Sequence, residues 1–257
     1  MTKTNTEYIV SENDATVTCD VAADIGNARA VVLVREDGSD VPTAILMPAV
    51  RSLHGAFSWE LFAARGLPAG SWGKLKSGEH VIERDGHERF LGKLAIDRTL
   101  AASSGRGSDA RYYDGTTIDF ILAGIAAALP QANKINVRLT SVIPISLWHL
   151  APRVAEALRG AHIYKHNGRD IRAHVVSVVV KREAEAAYAT LDGDTSGRIL
   201  IVDGGGRTVN LALFNGGEYR SGATLELGVE AALDNADKVL QGQGGRVLTL
   251  AERSELL

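Results

Sequence analysis

Two aspartates, Asp24 and Asp203, each open a glycine turn between apolar strands, in the stretches "DIGNARAVVLVREDG" and "DGGGRTVNLALFNGG". Set one above the other, Asp falls on Asp, Gly26 on Gly205, Val32 on Leu211, Val34 on Leu213 and Gly38 on Gly217. An internal repeat of this kind predicts two similar units whose hairpins face each other. Glycine lets main-chain amides approach a ligand without a Cβ in the way, so Gly26 and Gly204, Gly205 and Gly206 could grip a phosphate chain from two sides. An aspartate at the mouth of each hairpin could hold Mg²⁺ through its water shell, because magnesium keeps several waters and takes only one or two carboxylates. Thr208 adds a hydroxyl. Taken alone, the glycine triplet fits a plain tight hairpin equally well.

Other glycine-loop designs do not fit. Dinucleotide folds place the glycines between a strand and a helix, so that pyrophosphate meets the helix N-terminus. Here "TVNLALFNGG" follows the triplet, and its alternating, β-branched pattern is that of a strand. The nucleotide P-loop fails for the same reason, and the chain has no Gly-Lys-Ser/Thr. No Gly-x-Ser-x-Gly elbow is present, and the seven histidines show no metal spacing, which leaves them surface or packing roles.

Composition bounds the rest. The 257 residues are 45% hydrophobic and 23% charged with a net charge of -3, as in an ordinary globular protein. Such a chain lacks the basic excess that direct nucleic-acid binding needs. Cys19 is the single cysteine, so no intrachain disulfide can form, which fits a reducing cytoplasm. The N-terminus has no signal-peptide pattern, and the longest apolar run, "FILAGIAAALP", is about half the length of a membrane span. The reading is a soluble cytoplasmic protein with no membrane contact.

The elements that must hold the two hairpins read as an α/β chain. Residues from Ala15 to Val50 form a three-stranded meander, followed by short strands among glycine turns, with Asp85-Gly86 a hairpin signal. A solvated loop is expected around Arg106 to Tyr113, then a helix from about Thr117 to Leu129 that Pro130 stops. "KINVRLTSVIPIS" reads as a strand buried on both faces and "APRVAEALRG" as a helix. Asn167-Gly168 turns another hairpin, "EAEAAYATL" is helical, and a last helix lies near "LGVEAALDNADKVL". Trp59, Trp72 and Trp148 are expected in the core or on lobe surfaces.

The paired hairpins resemble the two phosphate motifs of the actin, sugar-kinase and heat-shock-chaperone ATPase superfamily. "RILIVDGGGRTVNLALFNGG" resembles the second motif and "DIGNARAVVLV" the first, although that family often carries a lysine seven residues after the aspartate, where this chain has Val31. Arg29 could substitute; alternatively, as in the MreB-like branch, no lysine is needed. "ERFLGKLAIDRT", "VRLTSVIPISLWHLAPRVAEALRG" and "HVVSVVVKREAEAAYATL" resemble segments of the plasmid-segregation, ParM-type branch.

The resemblance implies an actin-like ATPase fold with two RNase H-like lobes, mixed sheets flanked by helices. Residues 15–182 would form the first lobe, and 183–257 a connecting helix with part of the second. That lobe is expected to be incomplete, since the family continues into a further subdomain, an adenosine-binding glycine motif and a returning helix, whereas no strand leads into Gly244-Gly245 here. ATP and Mg²⁺ are the implied cofactors, with Asp24 and Asp203 on the metal. Gly26, Asn27, Gly204, Gly205, Gly206, Arg207, Thr208 and, beside the ribose, Gly228 are the implied nucleotide contacts. Glu183 is the implied water-orienting residue, with Glu185 as the alternative. The implied partners are further copies, in filaments or dimers, and a DNA-binding adaptor. Two other functions stay open: a small-molecule kinase, needing a base such as Asp97 or Asp114, and a non-enzymatic scaffold.

Overall fold

The computed structural model describes residues 15–52, 75, 78–98, 102–104, 109–247 and 252. Trp59, Trp72 and the short strands read between 53 and 74 lie outside the described residues, as does most of the segment after Val247.

The first meander is β1 (Thr16–Ile25), β2 (Arg29–Glu36) and β3 (Thr43–Pro48), paired antiparallel in that order. Alternation along β1 and β2 buries Cys19, Val21, Ala23 and Ile25 against Ala30, Val32 and Val34, as period-2 patterning requires. Three short strands follow among the described residues, β4 (Val50–Ser52) and then β5 (His80–Arg84) with its hairpin partner β6 (His87–Leu91). Asp85 and Gly86 take the positive φ values, 55° and 73°, that a two-residue hairpin turn demands. Helix α1 (Lys93–Arg98) and β7 (Ala102–Ser104) come next.

Helix α2 (Thr116–Ala128) lies within a residue of the expected span and packs on β1, β2 and β3. It leads into β8 (Lys134–Ile143), α3 (Ala151–Leu158), β9 (Gly160–His166) and the long β10 (Arg169–Arg182). Asn167 and Gly168 turn the β9–β10 hairpin, with φ of 51° and 83°. β8 runs parallel to both β1 and β10, but the burial on both faces expected from sequence is corrected: Ile135, Val137 and Leu139 are buried on one face, while Lys134, Asn136 and Arg138 on the other are only partly covered and Thr140 is exposed, because that face carries polar residues.

All ten strands form one sheet in the order β3-β2-β1-β8-β10-β9-β5-β6-β4-β7. Its first five strands have the RNase H-like order, an antiparallel meander followed by two parallel strands.

Helix α4 (Glu183–Tyr188) carries the chain out of β10 into a second, three-stranded sheet of β11 (Arg198–Gly204), β12 (Val209–Asn215) and β13 (Glu218–Leu225). Ala184 of α4 joins Ile201, Ala212 and Phe214 in a separate small core, and Tyr188 stacks on Phe214 with ring centroids 4.1 Å apart. Helix α5 (Val229–Gly242) follows.

The repeat read from sequence holds to the residue. In β1–β2, Asp24 faces Val31 and Ile25 faces Ala30; in β11–β12, Asp203 faces Asn210 and Gly204 faces Val209. The third strand repeats as well, with Val31 opposite Leu46 and Asn210 opposite Thr224. The fold is therefore α/β with two mixed or antiparallel sheets flanked by helices, the second begun by the same meander as the first.

Candidate functional site

Each hairpin closes in the same way. The Gly26 amide donates to the Arg29 carbonyl at 2.9 Å, and the Gly205 amide to the Thr208 carbonyl at 2.8 Å. Those two bonds tighten the turn just after each aspartate and aim both turns across one cleft. Asn27 of the first turn and Arg207 and Thr208 of the second line the same concavity, together with Arg111, Tyr112 and Ser146. Asp24, Val31, Glu183 and Asp203 line a second pocket, reached from the same two hairpins.

The electrostatics show how closely the acids converge. Asp24 keeps solvent access yet lies among surrounding protein, and that burial, with the charge of Asp203, pushes its carboxyl up from the usual range; Arg111 opposes the shift. Glu183 is pushed up to about 8, first by burial and then by Asp24 and Asp203, against the pull of Arg111 and of a hydrogen bond from Asn210. Three carboxylates from β1, β11 and the start of α4 thus share one field. A cation that entered here would relieve that repulsion. Among the described residues no three His, Cys, Asp or Glu side chains are grouped as direct ligands for a metal ion. The donor set suits Mg²⁺ held mostly through its own waters.

Glu183 and Glu185 have different work. The Oε2 of Glu185 accepts from the Arg182 amide at 2.8 Å, closing the first turn of α4 back on itself. Glu183 instead accepts from Nδ2 of Asn210, whose Oδ1 in turn accepts from the Thr224 hydroxyl at 2.8 Å. The Thr224 hydroxyl also accepts from the Ser146 amide at 3.1 Å. This chain of bonds fixes the Glu183 carboxyl relative to both sheets. Asn210 is 1% exposed, so its amide has little freedom to turn away.

Gly228 stands just before α5, packed on the second hairpin. Its amide donates to the Arg207 carbonyl at 2.8 Å, and a Cβ there would lie 2.3 Å from the Arg207 carbonyl carbon. The Val229 amide reaches the Gly205 carbonyl at 3.3 Å. Gly228 thus anchors a helix to the turn, and its amide is already engaged. Gly204 and Gly206 complete that turn, and Arg207 pairs with Glu226 at 3.0 Å on the exposed rim.

The solvated loop expected around Arg106 to Tyr113 is corrected from Asp109 onward, residues 106–108 lying outside the described residues. Asp109–Tyr112 is a 3-10 turn in which Arg111 and Tyr112 are only 6% and 3% exposed. Arg111 donates to the Gly26 carbonyl at 3.1 Å and to the Tyr112 hydroxyl. Arg29, the substitute cation considered from sequence, begins β2 as an exposed side chain. Trp148 is half-buried against the main core, as expected, with the Arg182 guanidinium 3.8 Å from its ring centroid. Asp114 is exposed and its carboxylate accepts from the Thr116 amide at 2.8 Å, at the start of α2.

No protein-family model matches the sequence, and no curated protein matches it. Solved structures do match its fold. An archaeal actin homolog, Ta0583, superposes with a TM-score of 0.70 at 17% identity, over 92% of this chain and 70% of that one. Its complex with ADP gives 0.68 at 16% identity. Bacillus thuringiensis ParM with ATP gives 0.61 at 15% identity, over 88% of this chain and 65% of that one. An AlfA filament bound to AMPPNP gives 0.56 at 13% identity, over 89% and 78%. The fold of this chain is that of the actin-like proteins.

Proposed function

We propose that this protein is an actin-like ATPase that holds Mg-ATP between its two Asp-bearing hairpins and assembles into nucleotide-dependent filaments. The observation that carries the reading is the convergence of Asp24, Asp203 and Glu183 on one cleft whose walls are two copies of the same hairpin. On this reading Gly26, Gly204, Gly205 and Gly206 bring main chain to the phosphates, with Asn27, Thr208 and Arg207 beside them. Asp24 and Asp203 would hold Mg²⁺, which supplies charge neutralisation along the phosphate chain.

Glu183, fixed by Asn210, orients the attacking water, and Glu185 keeps the helix start in place. Phosphoryl transfer needs positioning and charge stabilisation more than covalent help, so this set is sufficient. Residues 15–182 would then act as the first lobe and 183–257 as the linking helix and second lobe, with the nucleotide bridging them.

The ADP, ATP and AMPPNP complexes among the neighbours, and the AlfA filament, support nucleotide binding and self-association. A role in segregating DNA in the cytoplasm through an adaptor extends the same reading. It is tested by right-angle light scattering and negative-stain microscopy with Mg-ATP, Mg-ADP and no nucleotide. Filaments that appear with Mg-ATP and disassemble as it is hydrolysed are expected. A chain that stays monomeric at high concentration with Mg-ATP contradicts the assembly part, and phosphorylation of a sugar acceptor would replace it with a kinase.

A further inference from the structure

We infer that Arg111 is the cation that meets the phosphate charge in this cleft, and that it makes the site prefer a nucleoside triphosphate to the diphosphate. The inference rests on the nucleotide reading above. Seven residues after Asp24, directly across the β1–β2 ladder, stands Val31, an apolar side chain in the pocket that Asp24, Glu183 and Asp203 share. The corresponding position of the second hairpin holds the neutral Asn210. Neither hairpin brings a positive charge to this place in the ladder.

Arg111 brings one from a different element. Its 3-10 turn, more than eighty residues further along the chain, lays the guanidinium against the first hairpin. There Nη1 holds the Gly26 carbonyl at 3.1 Å and Nη2 the Tyr112 hydroxyl. Its ring neighbour reinforces the placement, with the guanidinium carbon 4.6 Å from the Tyr112 centroid. The side chain lines the cleft beside Asn27 and Thr208, one from each turn. Its charge reaches Asp24 and Glu183, pulling both carboxyls down, yet burial and mutual repulsion still hold them above the ordinary range.

A guanidinium is permanently charged and offers forked donors that match phosphate oxygens. Held by a main-chain carbonyl and a phenol, it is fixed before ligand arrives, so little side-chain entropy is lost on binding. Arg207, the other cation of the cleft, is tied to Glu226 on the exposed rim and is the weaker candidate.

The test is calorimetry of Mg-ATP and Mg-ADP binding to the full chain, wild type beside Arg111→Gln and Arg111→Lys, with circular dichroism to check folding. Wild type is expected to prefer ATP. Arg111→Gln should lose about tenfold or more in ATP affinity and less for ADP, and Arg111→Lys should fall between. If Arg111→Gln does not fold, the ATP-to-ADP ratio of Arg111→Lys decides. A folded variant that keeps the wild-type ratio, or a wild type that binds both nucleotides equally, overturns the role of Arg111 and leaves the nucleotide site standing. A wild type that binds neither nucleotide overturns the nucleotide reading and this inference with it.

Discussion

Glu183 is the residue whose chemistry depends most on its surroundings. With its carboxyl pushed up to about 8, it is mostly protonated at pH 7 in the ligand-free protein. Because its folded-state value is raised, the stability it contributes is fully present below the ordinary glutamate range and is lost as pH rises through about 8. Glu183→Gln should therefore melt close to wild type at pH 5 and be the more stable protein at pH 9, by roughly 4 kcal/mol. Equal melting differences at both pH values would contradict the burial argument. The same variant should lower ATP turnover by about a hundredfold, since a water-orienting carboxylate is worth that much. Wild-type turnover should climb with pH as this carboxyl ionises, while the variant's stays flat.

Sequence alone left Glu183 and Glu185 as alternatives because they are two positions apart at one helix start. What separates them is a bond from Asn210, 27 residues away, to Glu183 against a bond from the Arg182 amide, three residues back, to Glu185.

At the scale of elements, the two hairpins were legible because turn chemistry and strand alternation are local, and the repeat offset carried over unchanged into the ladder registers. The Asp85-Gly86 and Asn167-Gly168 turns were legible for the same reason. The 3-10 turn at Asp109–Tyr112 was not, because a polar, glycine-rich segment gives no local sign that its arginine will be buried against a carbonyl 85 residues earlier. The role of Gly228 was also hidden, since the constraint on it comes from the second hairpin passing beneath α5. Gly228→Ala must push that hairpin and the helix apart, and overpacking of this kind costs about 1–3 kcal/mol. Thermal melts should show that loss together with weaker Mg-ATP binding. A variant with wild-type stability would mean that the helix start adjusts freely.

Across the whole molecule, the two sheets are joined covalently where β10 enters α4 and non-covalently where β13 meets the turn after β8. Arg182 lies at this junction, its guanidinium carbon 3.8 Å from the Trp148 centroid and 4.2 Å from that of Tyr219. One ring comes from each side, so the cation ties the second sheet to the first close to Glu183. Arg182→Met keeps the aliphatic stem and removes the charge. It should lower stability by about 1 kcal/mol and reduce ATP turnover by loosening the placement of Glu183. Unchanged melting and turnover would show that the ring sandwich contributes nothing to the junction.

The central claim, that two repeated hairpins form one magnesium-nucleotide site, is tested most directly by calorimetric titration of Mg-ATP into the full chain beside Asp203→Ala. The account predicts magnesium-dependent binding by the wild type and its loss in a variant that still folds. Binding of equal affinity by both proteins, or no binding by either, would contradict it.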